Sequence, residues 1–245
     1  MFSTIFGILI IVLSMFWVIA FLKGFDHKVK TIDLPAFKNI LVIYPHPDDE
    51  VLTVGGLVQL FRDMNANTTF YIATKGENGT PTAEYDESLA ERRAAEMRAV
   101  GNILNTNTVI VDDFKDGGLN KQVEEIRTRV SQIMSEVVPD LVITYDQSGM
   151  YGHEDHIILS KITTDIIKDT FPETTLWYAS LPEKMYAAIS LPEHMAKDNE
   201  FRNKRMRPTH KIWVGSKIMN KVKSVYAHKS QYESFRKSIP IRIIP

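Results

Sequence analysis

Two short runs hold the residues whose types and spacing could do chemistry. Pro45-His46-Pro47-Asp48-Asp49-Glu50 and Gly149-Met150-Tyr151-Gly152-His153-Glu154-Asp155-His156 each combine imidazole with carboxylate. A catalytic zinc takes three N or O ligands and keeps one position for water, and His46, Asp49 and His156 could supply the three. Asp48 and Asp49 need different jobs, because two neighbouring carboxylates on the metal would leave nothing to take a proton from the water. One ligates and the other acts as base. A metal that lowers the pKa of its water toward about 7 makes hydroxide available at neutral pH. A protonated His153 would stabilise a developing oxyanion or protonate a departing nitrogen, with Asp155 holding its ring in place.

Each run also has a plainer reading. An acidic turn can cap the helix that follows it, whose dipole favours Asp and Glu, and two imidazoles three residues apart are often surface groups. Their placement favours chemistry. Short β-rich apolar runs at Asn39 to Tyr44, Thr68 to Thr74, Thr108 to Val111, Leu141 to Tyr145 and Thr175 to Tyr178 alternate with helical patterns at Tyr85 to Leu104 and Gln122 to Val137. That alternation predicts an α/β fold, a Rossmann-like and mainly parallel sheet with helices on both faces. Ligands of such sheets gather outside the carboxyl ends of the strands, where both runs fall. Toward the C-terminus, His210 to Val214 reads as another strand and Lys217 to His228 as a helix.

Composition narrows the chemistry further. The 245 residues contain no cysteine, so any metal is held by His, Asp or Glu and no thiol nucleophile exists. A formal net charge of −1 gives no electrostatic reason to expect nucleic acid as a partner. From Ile5 to Leu22 the chain carries no charge, just enough to cross a hydrocarbon core of about 30 Å at about 1.5 Å per helical residue. Residues 1–24 are therefore expected to form an N-terminal transmembrane anchor, 25–36 a linker and 37–245 the catalytic domain. A cleaved signal peptide competes, but no Lys or Arg precedes the apolar run. Lys23, Lys28 and Lys30 follow it, which by the positive-inside rule predicts a single-pass protein with its catalytic domain in the cytoplasm.

At these residues the sequence resembles the LmbE-like, or PIG-L, family of zinc-dependent de-N-acetylases. The resemblance runs through Leu41-Val-Ile-Tyr-Pro-His-Pro-Asp-Asp-Glu50, Thr74-Lys-Gly-Glu-Asn-Gly79, Arg93-Ala-Ala-Glu96, Pro139-Asp-Leu-Val-Ile-Thr-Tyr-Asp146, His153-Glu-Asp-His156 and His228-Lys-Ser-Gln231. It implies His46, Asp49 and His156 as zinc ligands, Asp48 as general base and His153 as the oxyanion-stabilising or acid residue. It also implies that Arg93 contacts substrate. A helix-face salt bridge to Glu91 or Glu96 is the plainer alternative for Arg93. His228 is a possible substrate contact or a partner of a helix dipole, and the Gly76-Glu77-Asn78-Gly79 loop receives no catalytic role.

The function implied is removal of the N-acetyl group from an N-acetylglucosamine-containing substrate by metal-bound hydroxide. With the expected anchor, that substrate could be lipid-linked. Zinc is the expected metal, although an N/O site accepts other divalent first-row ions. Two alternatives stand beside this one: a membrane-tethered sugar-binding protein without catalysis, and a zinc amidase for a non-sugar substrate. Asp48 with His153 favours an enzyme over a binding protein, which needs no base beside the metal.

Overall fold

A computed structural model of the chain describes residues 26–79, 88–183 and 204–238, together with residues 6–8, 11–12, 14–15 and 18–19. Five parallel strands form the central sheet: β2 (Asn39–Tyr44), β3 (Asn67–Thr74), β4 (Thr108–Phe114), β5 (Leu141–Tyr145) and β6 (Thr175–Ala179). Their order across the sheet is β4-β3-β2-β5-β6. The central strand β2 reads Asn-Ile-Leu-Val-Ile-Tyr, apolar at successive positions, because both of its faces are covered. Ile40, Val42 and Tyr44 join one core with Val58, Phe61, Met97, Val100 and Leu104, while Leu41 and Ile43 join the other with Ile126, Val130, Leu159 and Ile162.

Helices α1 (Asp49–Thr53), α2 (Gly55–Asp63), α3 (Leu89–Leu104) and, from later in the chain, α6 (Ile218–Ala227) pack on the first face. Helices α4 (Val123–Val137) and α5 (Glu154–Thr170) pack on the second. A last short helix, α7 (Tyr232–Ser238), closes the described chain. Helix α3 ends where Asn105 turns left-handed at φ 58°, and α4 ends at Val138 with φ 48° before Pro139, which cannot continue a helix. The chain winds outward from β2 through β3 to β4, then returns to lay β5 on the other side of β2. The carboxyl ends of β2 and β5 therefore diverge at the point where the winding reverses, the place where such sheets open a crevice.

Several expectations shift. Strand β4 extends to Phe114 and β6 to Ala179. Helix α3 begins at Leu89, and residues 85–87 of the expected helix lie outside the described residues. The expected strand His210 to Val214 shrinks to the two-residue β7 (His210–Lys211), which pairs in parallel with β1 (Lys30–Thr31), inside the stretch expected to be a linker.

The expected transmembrane helix Ile5 to Leu22 falls largely outside the described residues. Among the described residues no helix is long and apolar enough to cross a membrane, and this overturns the expected single-pass membrane localisation with a cytoplasmic catalytic domain. A span needs about 20 consecutive apolar helical residues, and none of the described helices supplies them.

Candidate metal centre

The turn after β2 and the turn after β5 meet at the reversal point. Nδ1 of His46 and Nε2 of His156 are 3.2 Å apart, Nδ1 of His46 lies 3.5 Å from Oδ2 of Asp49, and Nε2 of His156 lies 3.5 Å from Oδ1 of Asp49. Ligands about 2.0–2.1 Å from a tetrahedral ion stand roughly 3.3 Å from one another, and the two imidazole nitrogens, as well as each imidazole and one of the two Asp49 oxygens, lie near that spacing. The donor chemistry fits as well. His156 gives its Nδ1 proton to the Gly149 carbonyl at 3.2 Å, which leaves Nε2 as a lone pair facing His46 and Asp49. Burial lowers the pKa of His156 to about 3, keeping that lone pair free near neutral pH.

Each member is fixed from outside the triangle. Asp49 accepts the Tyr145 hydroxyl at 2.7 Å and the His46 backbone N–H at 3.0 Å. Burial alone would raise the pKa of its carboxyl, but the neighbouring His156 and His46 hold it well below the usual range. The Tyr145 ring stacks on His156 with centroids 4.4 Å apart. On the far side of His46, Nε2 meets Oδ1 of Asp116 at 3.0 Å and Oδ2 of Asp155 at 3.3 Å. A carboxylate on the second ring nitrogen fixes the tautomer of a ligating imidazole and makes it a stronger donor. Burial opposes protonation of His46, yet Asp116, Asp155 and Asp49 together raise its proton affinity well above the ordinary value.

Among the described residues, the sets of three whose ligand atoms all lie within 4.8 Å of one another are His46 with His153 and His156, and His46 with Asp116 and Asp155. The second set is a hydrogen-bonded cradle. Asp155 also accepts the backbone N–H groups of Gly117 at 2.7 Å and Leu119 at 3.2 Å, and Asp116 accepts that of Asn78 at 2.9 Å.

His153 caps α5, and its Nδ1 accepts the Asp155 backbone N–H at 3.2 Å. A neutral ring bonded this way carries its proton on Nε2. Burial and the nearby His46 lower its proton affinity, which favours the neutral ring over the imidazolium that an acid role would use. Asp155 does not hold the His153 ring with its carboxylate, as expected; that carboxylate serves His46, because the first turn of α5 points it toward the Gly117 loop.

Asp48 sits beside the triangle in a left-handed backbone conformation, φ 109° and ψ −22°, that residues with side chains rarely adopt. Burial raises its pKa to about 7 against the opposing charge of Arg93. The Arg93 guanidinium is itself buried: it donates to the Gly76 carbonyl at 2.8 Å, the Pro47 carbonyl at 2.6 Å and the Asp48 carboxylate at 3.2 Å. These bonds engage both terminal nitrogens of Arg93 with the protein, while its Nε has no partner among the described residues. The alternative salt bridge is absent, because Glu91 pairs with Lys75 and Glu96 accepts from Ser230. Gly76 and Gly79 make room for the guanidinium, as a Cβ on Gly79 would stand 1.8 Å from Nη1. His228 follows the last residue of α6, has no exposed surface, and bonds Glu50 at 2.9 Å, so it too is engaged inside the protein.

The sequence reading gave no role to Asp116, Glu50, Tyr145 or Tyr151. Asp116 carried a usable signal, because it stands just past a strand end, hidden when β4 was cut at Val111. Glu77 and Asn78, in the loop given no catalytic role, hold Asp116 in place. Tyr151 packs edge-on against His156 with centroids 5.0 Å apart, and burial together with Asp49 and Asp48 keeps its phenol protonated.

Fold and cluster together define an α/β protein with a mainly parallel sheet and a cluster of possible metal ligands where that sheet reverses. The particular family follows from sequence: residues 41–167 match the PIG-L family, GlcNAc-PI de-N-acetylase, and the chain belongs to it. A 1D-myo-inositol 2-acetamido-2-deoxy-alpha-D-glucopyranoside deacetylase of Rhodococcus erythropolis is 30% identical over a match covering 54% of this chain and 53% of that one. A probable N-acetyl-alpha-D-glucosaminyl L-malate deacetylase of Bacillus anthracis is 26% identical, covering 80% of this chain and 82% of that one. Among solved structures, an N,N'-diacetylchitobiose deacetylase from Pyrococcus horikoshii aligns with a TM-score of 0.59 at 21% identity, covering 82% of this chain and 74% of that one, a likeness of fold. The chain spans about half the length of the inositol-glycoside deacetylases it matches.

Proposed function

We propose that this protein is an amide hydrolase that removes the acetyl group from an N-acetylglucosamine unit, using a divalent cation held by His46, Asp49 and His156. Zinc is the ion we favour, because three N and O donors at tetrahedral spacing suit it, although such donors accept other first-row ions. The observation that carries this reading is the approach of His46 to His156 at 3.2 Å, with the two Asp49 oxygens each 3.5 Å from one of these imidazoles and Asp48 next in the chain. A cation bound there supplies Lewis acidity toward water and toward the amide carbonyl.

The chain's own groups do the rest. Asp48, with a pKa of about 7, is partly ionised at neutral pH and takes the proton of the attacking water. It returns that proton to the nitrogen of the leaving amine as the C–N bond of the amide breaks, giving free amine and acetate. The Nε2–H of neutral His153 and the phenol of Tyr151 are donors for the oxyanion of the tetrahedral intermediate. Asp116 and Asp155 keep His46 in the tautomer that presents Nδ1 to the cation.

The substrate class is argued from the relatives' names, which share N-acetylglucosamine and differ in what it is attached to: inositol, malate or a second sugar. With no spanning helix among the described residues, the argument for a lipid-linked substrate loses its premise. The test is acetate release from N-acetylglucosamine bearing myo-inositol, L-malate, a second N-acetylglucosamine or phosphatidylinositol, with and without chelator. Release on one or more of these that stops on chelation and returns with zinc supports the proposal. No release from any of them by metal-loaded protein, or release indifferent to chelator, would overturn it.

A further inference from the structure

Asp48 is held from behind by a buried pair that the mechanism above does not use. Oε2 of Glu50 accepts the Asp48 backbone N–H at 2.9 Å, and Oε1 of Glu50 meets Nε2 of His228 at 2.9 Å. Both side chains of the pair have no exposed surface. Asp48 makes no side-chain cap to α1, so the Glu50 carboxylate is what engages its N–H, much as a capping carboxylate reaches back to the start of a helix. A left-handed conformation in a residue with a side chain persists only where its surroundings over-determine it.

His228 is placed independently of Glu50. Its backbone N–H donates to the Val225 carbonyl at 3.2 Å, and its own carbonyl accepts from Gln231 at 3.0 Å. Ser230 next to it bonds the Glu96 carboxylate of α3 at 2.9 and 2.7 Å, and Gln231 bonds the Gly79 carbonyl at 2.6 Å. The segment 228–231 is thereby stapled to the same helix and loop that carry Arg93 and Gly76. Its fixed imidazole meets Glu50, and Glu50 meets the Asp48 backbone.

We propose that His228 is a positioning residue: acting through Glu50, it holds the Asp48 backbone in its left-handed conformation and so aims the base at the reacting water. This rests on the reading of Asp48 as the base. The order of action is from the C-terminal segment inward, and His228 touches no substrate.

The test uses the full chain loaded with zinc and the N-acetylglucosamine conjugate on which the parent releases acetate fastest. Glutamine places a nitrogen near the position of histidine Nε2 and asparagine near that of Nδ1, so His228→Gln keeps the bond to Glu50 and His228→Asn loses it. We expect His228→Ala, His228→Asn and Glu50→Ala each to lower kcat on the order of tenfold to a hundredfold, the cost of a slightly misplaced catalytic group. KM and zinc per chain stay at the parent values, and His228→Gln recovers most of the lost rate. The double variant Glu50→Ala with His228→Ala falls no further than Glu50→Ala alone. Parent-like kcat in His228→Asn, equal rates in the Gln and Asn variants, a loss expressed in KM, or additive losses in the double variant would each overturn the proposal. Should the alanine variants fail to fold, the Gln and Asn pair decides alone. Asp48→Asn measured in parallel separates the two layers. Parent-like turnover there removes the base reading and this proposal with it, whereas an inactive Asp48→Asn beside a parent-like His228→Asn removes the positioning alone.

Discussion

The turn after β2 and the turn after β5 deliver the same kinds of group to one point, yet they are held by different means. Around Asp48 the anchors are ions: Arg93 on its carboxylate and on the Pro47 carbonyl, and the Glu50–His228 pair on its backbone. Around His153 and His156 the anchors are hydrogen bonds that shape the backbone, accepted by the Asp146 side chain and the Gly149 carbonyl. Asp146, at the end of β5, accepts Ser148 N–H at 3.1 Å, Ser148 Oγ at 2.5 Å and Met206 N–H at 2.8 Å, which shapes the turn in which Gly149, Met150 and Gly152 all take positive φ. The Gly149 carbonyl then orients His156. Under the proposed function Asp48 on the first turn gains and loses a proton, so the charges around it set its proton affinity as well as its place. The second carries imidazoles whose proton affinity burial lowers, and these need orientation only.

The sharpest way to break this comparison is to remove a group from each turn and compare what is lost. His156→Ala, on the second turn, should abolish metal binding and activity together, because two remaining ligands do not hold a catalytic ion; metal per chain beside acetate release checks both. Asp48→Asn, on the first, should keep its metal while turnover falls on the order of 10²–10⁴-fold, the usual contribution of a general base. If the Asn variant lost metal in step with activity, the two turns would not divide the work as described. Asp116→Asn should be milder. It leaves the triangle intact but weakens the acceptor on His46 Nε2, lowering metal affinity on the order of 10–100-fold, measurable by competition with a chelating indicator.

The sequence made the parallel sheet and the two turns legible because both depend on local pattern. Ile40 to Tyr44 and Leu141 to Tyr145 are apolar but for Thr144 and buried at every position, as in strands covered on both faces, and the polar runs follow them directly. What was not legible depends on where side chains from distant elements arrive. Arg93 reads as exposed helix surface, since Arg92 and Glu91 flank it, and only the two glycines of the facing loop reveal that its guanidinium turns inward. Asp155 and His153 are near neighbours in sequence and were paired on that ground, but a helix start sends their side chains apart. His228 meets Glu50 across 178 positions, a separation no local pattern encodes.

The finest separation between the two turns is electrostatic. Arg93 lies 3.2 Å from the Asp48 carboxylate, and its charge opposes the burial that raises the pKa of that group to about 7. A bound cation nearby lowers it further, so the acid limb of kcat/KM in the parent should fall at or below about 7, with activity rising as pH rises and Asp48 ionises. Arg93→Met removes the positive charge, leaves burial in place, and should move that limb to higher pH by about one unit. Arg93→Lys keeps a charge but not the planar fork that reaches Gly76 and Pro47 together, so its limb should move less. Asp146→Asn disturbs the hydrogen-bonded anchor of the other turn and should leave the limb where it was, whatever it does to thermal stability. A limb that stayed fixed in Arg93→Met, or moved equally in Asp146→Asn, would mean that the charge beside Asp48 is there for packing alone and that the two turns are held by equivalent means.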